Sequence, residues 1–107
     1  MPNHIRLLEI AGTLSFTFDC GDLPADEAIV QTGHEPNGYF WEGLITFLAP
    51  EVAAQVEFDP EAGMFAAYGD AATLDRLRDL IAPYLDDGER AAQTVRAAEA
   101  AGFEFDD

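Results

Sequence analysis

Apolar and polar residues alternate along residues 13–19, where Leu14, Phe16 and Phe18 are separated by threonine and serine. This two-residue period is typical of a strand with one buried face. Residues 5–10 have the composition of another strand, and a short Ala-Gly step joins the two segments. The first nineteen residues therefore predict a β-hairpin.

A second hairpin is predicted further along the chain. Residues 55–59 alternate again, with Val56 and Phe58 expected to face inward, and residues 64–68 supply the returning strand. The run Asp-Pro-Glu-Ala-Gly between them predicts a tight turn, because proline presets the first turn dihedral and Gly63 is expected to supply a positive φ.

Between the hairpins the apolar spacing changes to three and four residues, which is the period of an amphipathic helix. The clearest case is residues 38–48, where Asn37 is predicted to cap the helix. Its apolar face is Phe40, Leu44, Phe47 and Leu48. A shorter helix is predicted to run through Gln31 and end at Gly33, and a further turn of helix follows Pro50.

Two more helices are predicted after the second hairpin. Asp70 is expected to cap the first, which carries a leucine-rich face and ends near Pro83. Asp86 and Glu89 have capping-box spacing and predict the start of the second, which runs through Ala101. Gly102 occupies the usual terminating position. The final FEFDD is predicted as a tail, with a short edge strand as the alternative.

The predicted order is two strands, two or three helices, two strands and two helices. Hairpins rather than βαβ units predict an α+β fold, in which helices cover one face of an antiparallel sheet of about four strands. No linker, repeat or low-complexity segment interrupts residues 1–107. We therefore predict a single domain.

The charge balance narrows the choice of partners. The chain has 21 acidic residues, five arginines and no lysine, for a formal net charge of −16. Such a surface repels phosphate groups, which argues against nucleic acids and anionic membranes and favours cationic surfaces. Acidity also favours solubility by itself, so charge alone leaves the partner open.

The expected compartment is the cytoplasm. Cys20 is the only cysteine, which excludes an internal disulfide and a cysteine-rich zinc site and fits reducing conditions. The start MPNHIRLLEI lacks the long apolar stretch of a signal peptide, and no segment has the composition of a transmembrane helix.

Catalytic motifs are missing from the sequence. It contains no P-loop, dinucleotide-binding, zincin or nucleophile-elbow pattern, and the absence of lysine excludes Schiff-base chemistry. A thiolate pair of Cys20 with His34 and a metal site at His34 and Glu35 are weaker readings than structural roles for these residues. The remaining enzymatic alternative is a small carboxylate- or metal-dependent hydrolase that uses Asp59, Glu61 and His34.

Two blocks of the sequence resemble one known family. GHEPNGYFWEGL at residues 33–44 and VEFDPEAGMFAAYGD at residues 56–70 are similar to the two characteristic blocks of immunity protein family 51, from bacterial polymorphic toxin systems. The resemblance implies an α+β protein that binds a cognate toxin domain by direct occlusion and catalyses nothing. It does not identify the toxin, although a nuclease with a basic active site would match the acidic charge.

The resemblance also directs attention to residues around the two blocks. Helical spacing predicts Phe40 on the core face and Trp41 at the core boundary. The expected partner contacts are the polar and aromatic residues around them and on the hairpin turn: His34, Glu35, Asn37, Tyr39, Glu42, Asp59 and Glu61. No cofactor or metal is expected, and the chain is predicted to be a monomer or a weak homodimer.

Overall fold

The computed structural model describes residues 4–106. Nine elements follow one another within these residues: β1 (Arg6–Ile10), β2 (Thr13–Asp19), α1 (Asp26–Gln31), α2 (Gly38–Leu48), α3 (Pro50–Ala53), β3 (Glu57–Phe58), β4 (Met64–Tyr68), α4 (Ala71–Leu85) and α5 (Gly88–Ala100). The element order agrees with the sequence prediction, and the α+β class is confirmed.

The four strands form one antiparallel sheet in the order β1-β2-β4-β3. Both predicted hairpins are present, and β2 pairs with β4 to join them at the centre of the sheet. Phe18 lies opposite Phe65 in this central pair. Because directly opposed residues of antiparallel strands share one face, the two rings meet under the helices.

The core is a cluster of aromatic rings between the sheet and α2. Phe18 stacks on Phe65 with ring centroids 5.0 Å apart, and its ring edge meets Trp41 at 5.7 Å. Phe40 meets Trp41 at 5.3 Å, and all four side chains are fully buried. Burial of large aromatic side chains is the main stabilising contribution to a core of this kind. Trp41, predicted at the core boundary, therefore lies inside the core.

The first turn of α2 is fixed by a cap and by contact with the second hairpin. The side chain of Asn37 accepts a hydrogen bond from the Phe40 N–H at 2.9 Å, which confirms the predicted cap. The Gly38 N–H donates to the Glu61 carbonyl at 3.0 Å. The start of α2 is thereby bonded to the turn between β3 and β4.

Two sequence predictions, on the hairpin turn and on the cap of α5, are wrong, whereas the predicted end of α4 is close to the observed one. Gly63 does not have a positive φ; the turn is closed by backbone hydrogen bonds between Glu61 and Met64. Helix α4 ends near Pro83, as predicted, since Leu85 is its last residue and the side chain of Leu85 is buried in the core. Asp87 caps α5 by accepting from the Arg90 N–H, since Asp86 closes α4.

The predicted helix terminators and the tail give a mixed result. Gly33 and Gly102 both have positive φ, as expected of glycines that end helices. Residues 103–106 form no strand; Phe103 and Phe105 pack on α2 instead. Among the described residues, every helix is too short or too polar to cross a bilayer.

Candidate functional site

Three segments meet at the N-terminal end of α2. The loop at residues 33–37, the first turn of α2 and the β3–β4 turn are joined through the Gly38–Glu61 hydrogen bond. A cavity of about 220 Å³ opens here between Glu35, Asn37 and Ala62. The fold thus places two of the predicted contact residues, Glu35 and Asn37, beside the turn that carries Glu61.

His34 is more enclosed than the sequence predicted. Its side chain is 15% exposed, and its Nε2 lies 3.0 Å from a carboxylate oxygen of Glu99 on α5. The imidazole also packs against the Phe105 ring at 4.8 Å and the Phe40 ring at 6.0 Å. His34 therefore connects the loop at 33–37 to α5 and the tail.

Asn37, Tyr39 and Glu42 occupy different environments although they lie close together in sequence. Asn37 is half-buried, and its side-chain oxygen serves as the cap of α2. Tyr39 is 42% exposed, whereas Glu42 is half-buried. Burial raises the pKa of the Glu42 carboxyl, and the nearby charge of Asp106 raises it further.

Asp59 and Glu61 flank Pro60 after the short strand β3, and both are exposed. The Tyr68 hydroxyl lies 3.5 Å from an Asp59 carboxylate oxygen, within reach to donate a hydrogen bond. The Glu61 backbone holds the turn through its bonds to Gly38 and Met64. Both carboxylates are therefore displayed on a turn whose backbone is fixed.

The enzymatic alternatives gain no support from this arrangement. His34 is engaged with Glu99, and Asp59 with Tyr68. Within residues 4–106 there is no group of three or more histidine, cysteine, aspartate or glutamate side chains placed to hold a metal ion.

Cys20 is not suited to a thiolate role. Burial, together with the nearby charge of Asp26, raises the pKa of the Cys20 thiol from 9.0 to about 12. The thiolate is the nucleophilic form of cysteine, and the raised pKa keeps the side chain in its thiol form at neutral pH. Its place at the end of β2, packed against the core, is a structural one.

We expect iodoacetamide at about pH 8 to modify Cys20 at least about tenfold more slowly in the folded chain than in urea-unfolded chain. Unfolding exposes the thiol and returns its pKa to the ordinary range. Mass spectrometry of samples quenched over time gives both rates. Equal rates would show that folding neither shields the Cys20 thiol from the reagent nor raises its pKa.

The contacts made by the tail at residues 103–106 were not predicted from the sequence. Phe105 stacks on Phe40 at 5.2 Å, and Phe103 packs against Phe47 at 5.6 Å. Two features could have indicated this contact: the apolar-acidic alternation of the tail and the glycine at position 43 in the interior of α2. A glycine inside a helix often marks a close approach by another segment.

A comparison with known protein families gives a match over most of the chain. A family model described as Immunity protein 51 matches residues 8–100, which include both sequence blocks. Histidinol dehydrogenase from Halobacterium salinarum is 46% identical over 52 residues, or 49% of this chain. The matched segment spans only 12% of the length of that enzyme. No solved structure matches the chain.

Proposed function

The chain belongs to the immunity protein 51 family, and from this membership we propose that it binds a cognate bacterial toxin domain and neutralises it by occlusion. The family match over residues 8–100 is the observation that carries the proposal. In this proposal residues 1–107 act in the cytoplasm as one domain, as a monomer or weak homodimer. The protein catalyses no reaction and needs no cofactor.

The charge of the chain favours a toxin with a cationic surface. A net charge of −16 attracts a basic partner and raises the association rate, up to about 10⁸–10⁹ M⁻¹s⁻¹ at low salt. A nuclease fits this description, since its site must attract an anionic substrate. We therefore propose a basic toxin, with a nuclease as the leading candidate.

The proposed contact surface surrounds the N-terminal end of α2. The β3–β4 turn displays Asp59 and Glu61, and the adjoining loop displays Glu35 beside a small cavity. Exposed Tyr39 supplies an aromatic contact of the type enriched at binding hot spots. The full proposed set is His34, Glu35, Asn37, Tyr39, Glu42, Asp59 and Glu61.

Co-expression with the toxin domain encoded beside this gene tests the proposal. We expect the chain to restore growth and to purify with the toxin domain in a stoichiometric complex. Growth arrest in the presence of folded chain would contradict it, and so would protection by catalytic amounts of the chain. The second result would indicate an enzyme rather than an inhibitor.

Reversing two charges on the proposed surface is expected to slow association. The double substitution Glu35→Lys and Glu42→Lys should reduce the association rate by about tenfold at low salt. The reduction should be smaller at physiological salt, because dissolved ions screen charges that are more than about 8 Å apart. Stopped-flow binding to the toxin domain at two salt concentrations measures this effect.

The matched control reverses two acidic residues that lie outside the proposed contact surface. Glu51 and Asp79 are exposed on α3 and α4. Their reversal to lysine changes the net charge equally, and we expect a much smaller effect on association. Equal slowing by both pairs would mean that total charge, and not this surface, steers the encounter. Unfolding measured at both salt concentrations verifies that all variants are folded.

A further inference from the structure

The tail at residues 103–106 forms one wall of a cavity on the outer side of α2. Phe105 lies flat on Phe40, with an interplanar angle of 18°. A Cβ atom added to Gly43 would lie 2.9 Å from Phe105 Cδ1, so glycine is needed where the ring rests on the helix. The tail is thus held in place by its two phenylalanines.

The two anchored phenylalanines of the tail fix the positions of the acidic residues that alternate with them. Phe103 and Phe105 contact α2, whereas Glu104 and Asp106 are exposed beside it. The space between α2 and the tail, which is partly open to solvent, has a volume of about 250 Å³. We call it the tail cavity; its walls include Tyr39, Glu42, Thr46, Phe103, Glu104 and Asp106.

Within residues 4–106, no arginine lines the tail cavity or forms an ion pair with its three carboxylates. Among the described residues, Glu42, Glu104 and Asp106 form neither an ion pair nor a hydrogen bond through their side chains. Three arginines have partners elsewhere: Arg6 pairs with Asp19, Arg78 pairs with Asp75, and Arg90 lies over the Tyr84 ring. Partial burial makes the charge of Glu42 costly, and a cation in the cavity would offset this cost.

The aromatic walls of the tail cavity favour a guanidinium group over an ammonium group. Tyr39, which is 42% exposed, and half-buried Phe103 offer ring surface beside the carboxylates. A guanidinium group is planar, stacks on aromatic faces and can bond to carboxylates through several N–H groups at once. An ammonium group is a compact, strongly hydrated charge, so it gains less from contact with aromatic rings.

We infer that the tail cavity receives an arginine side chain of the toxin. This inference rests on the proposed function and deepens it, because it names the chemical group that the immunity protein recognises. Charge complementarity and the stacking surface select the arginine, and a volume of about 250 Å³ is large enough to hold one such side chain.

A titration without the toxin tests the cavity itself. The probe is Nα-acetyl-arginine amide, with the uncharged citrulline analogue and the lysine analogue as comparisons. In ¹H–¹⁵N spectra of the full chain, we expect the arginine probe to cause saturable shifts at Tyr39, Gly43 and Phe103. Equal shifts with citrulline or lysine would overturn the inference, and so would shifts spread over the acidic residues in general.

Substitutions that keep the side-chain shape supply the controls. Glu42→Gln with Asp106→Asn should weaken binding of the probe at least about fivefold, because two of the three charges are lost. Glu51→Gln with Asp79→Asn removes the same charge from exposed positions on α3 and α4 and should leave probe binding unchanged. Should the first pair unfold the chain, Tyr39→Ala replaces it, since this exposed residue can be removed without opening the core.

The toxin experiment separates the inference from the proposed function. The Glu42→Gln and Asp106→Asn pair should raise the Kd of the toxin complex at least about tenfold, a loss of about 1.4 kcal/mol. A toxin that binds both forms equally would overturn the arginine inference and leave the immunity function intact. A toxin that does not bind the wild-type chain would contradict the proposed function. The titration with the arginine probe would still show whether the tail cavity binds a guanidinium group.

Discussion

Replacing Phe40 with alanine is expected to lower the free energy of unfolding by about 3–5 kcal/mol, the usual cost of truncating a large core aromatic. Phe40 is fully buried in the first turn of α2. Its ring meets Trp41 edge-on at 5.3 Å and stacks on Phe105 at 5.2 Å. The truncation would leave a cavity between α2 and the tail that backbone movement cannot easily close, because hydrogen bonds hold the start of the helix.

The neighbouring residue supplies a control on the same helix. Tyr39 is 42% exposed, so Tyr39→Ala should change the free energy of unfolding by less than about 1 kcal/mol. Urea unfolding, followed by fluorescence of the single tryptophan, measures both variants. Similar losses in the two variants would show that the buried face of α2 is assigned incorrectly.

Helix α2 shows how much of the fold the sequence predicts. Its bounds, the Asn37 cap and the buried face with Phe40 and Leu44 follow from local spacing and turn chemistry alone. Full burial of Trp41 does not, because helical spacing describes a single apolar face. In the structure α2 is covered on two sides: Trp41 meets Phe18 of the sheet, whereas Phe40 also meets Phe105 of the tail.

The candidate site was less predictable than the helix, because its contacts join residues that are far apart in sequence. His34 contacts Glu99, 65 positions away in sequence, and no local pattern reports such a contact. The exposed carboxylates on the β3–β4 turn were predictable, because acidic turn residues face solvent by default. The cavity beside Glu42 required the tail to fold back on the helix, and alternation in the tail is equally compatible with an edge strand.

The contact between α2 and the second hairpin should be the least tolerant of an added methyl group. We expect Gly38→Ala to lower the free energy of unfolding by about 3 kcal/mol. A Cβ atom at this position would collide with the backbone carbonyl oxygens of Glu61 and Met64. Neither oxygen can retreat freely: the Glu61 carbonyl accepts the Gly38 N–H, and the Met64 carbonyl accepts the Glu61 N–H at 2.8 Å.

Gly63 in the same turn is the matched control for Gly38→Ala. A Cβ atom there would have no neighbour within 4 Å, and its φ is not positive, so Gly63→Ala should be neutral or stabilise the fold by about 0.4–1 kcal/mol. Thermal unfolding of both variants distinguishes a steric effect from a general loss of glycine flexibility. Equal destabilisation would mean that the turn needs both glycines for its backbone conformation. Loss confined to Gly38→Ala would show that close contact between two backbones holds the loop, the helix and the turn together as one surface.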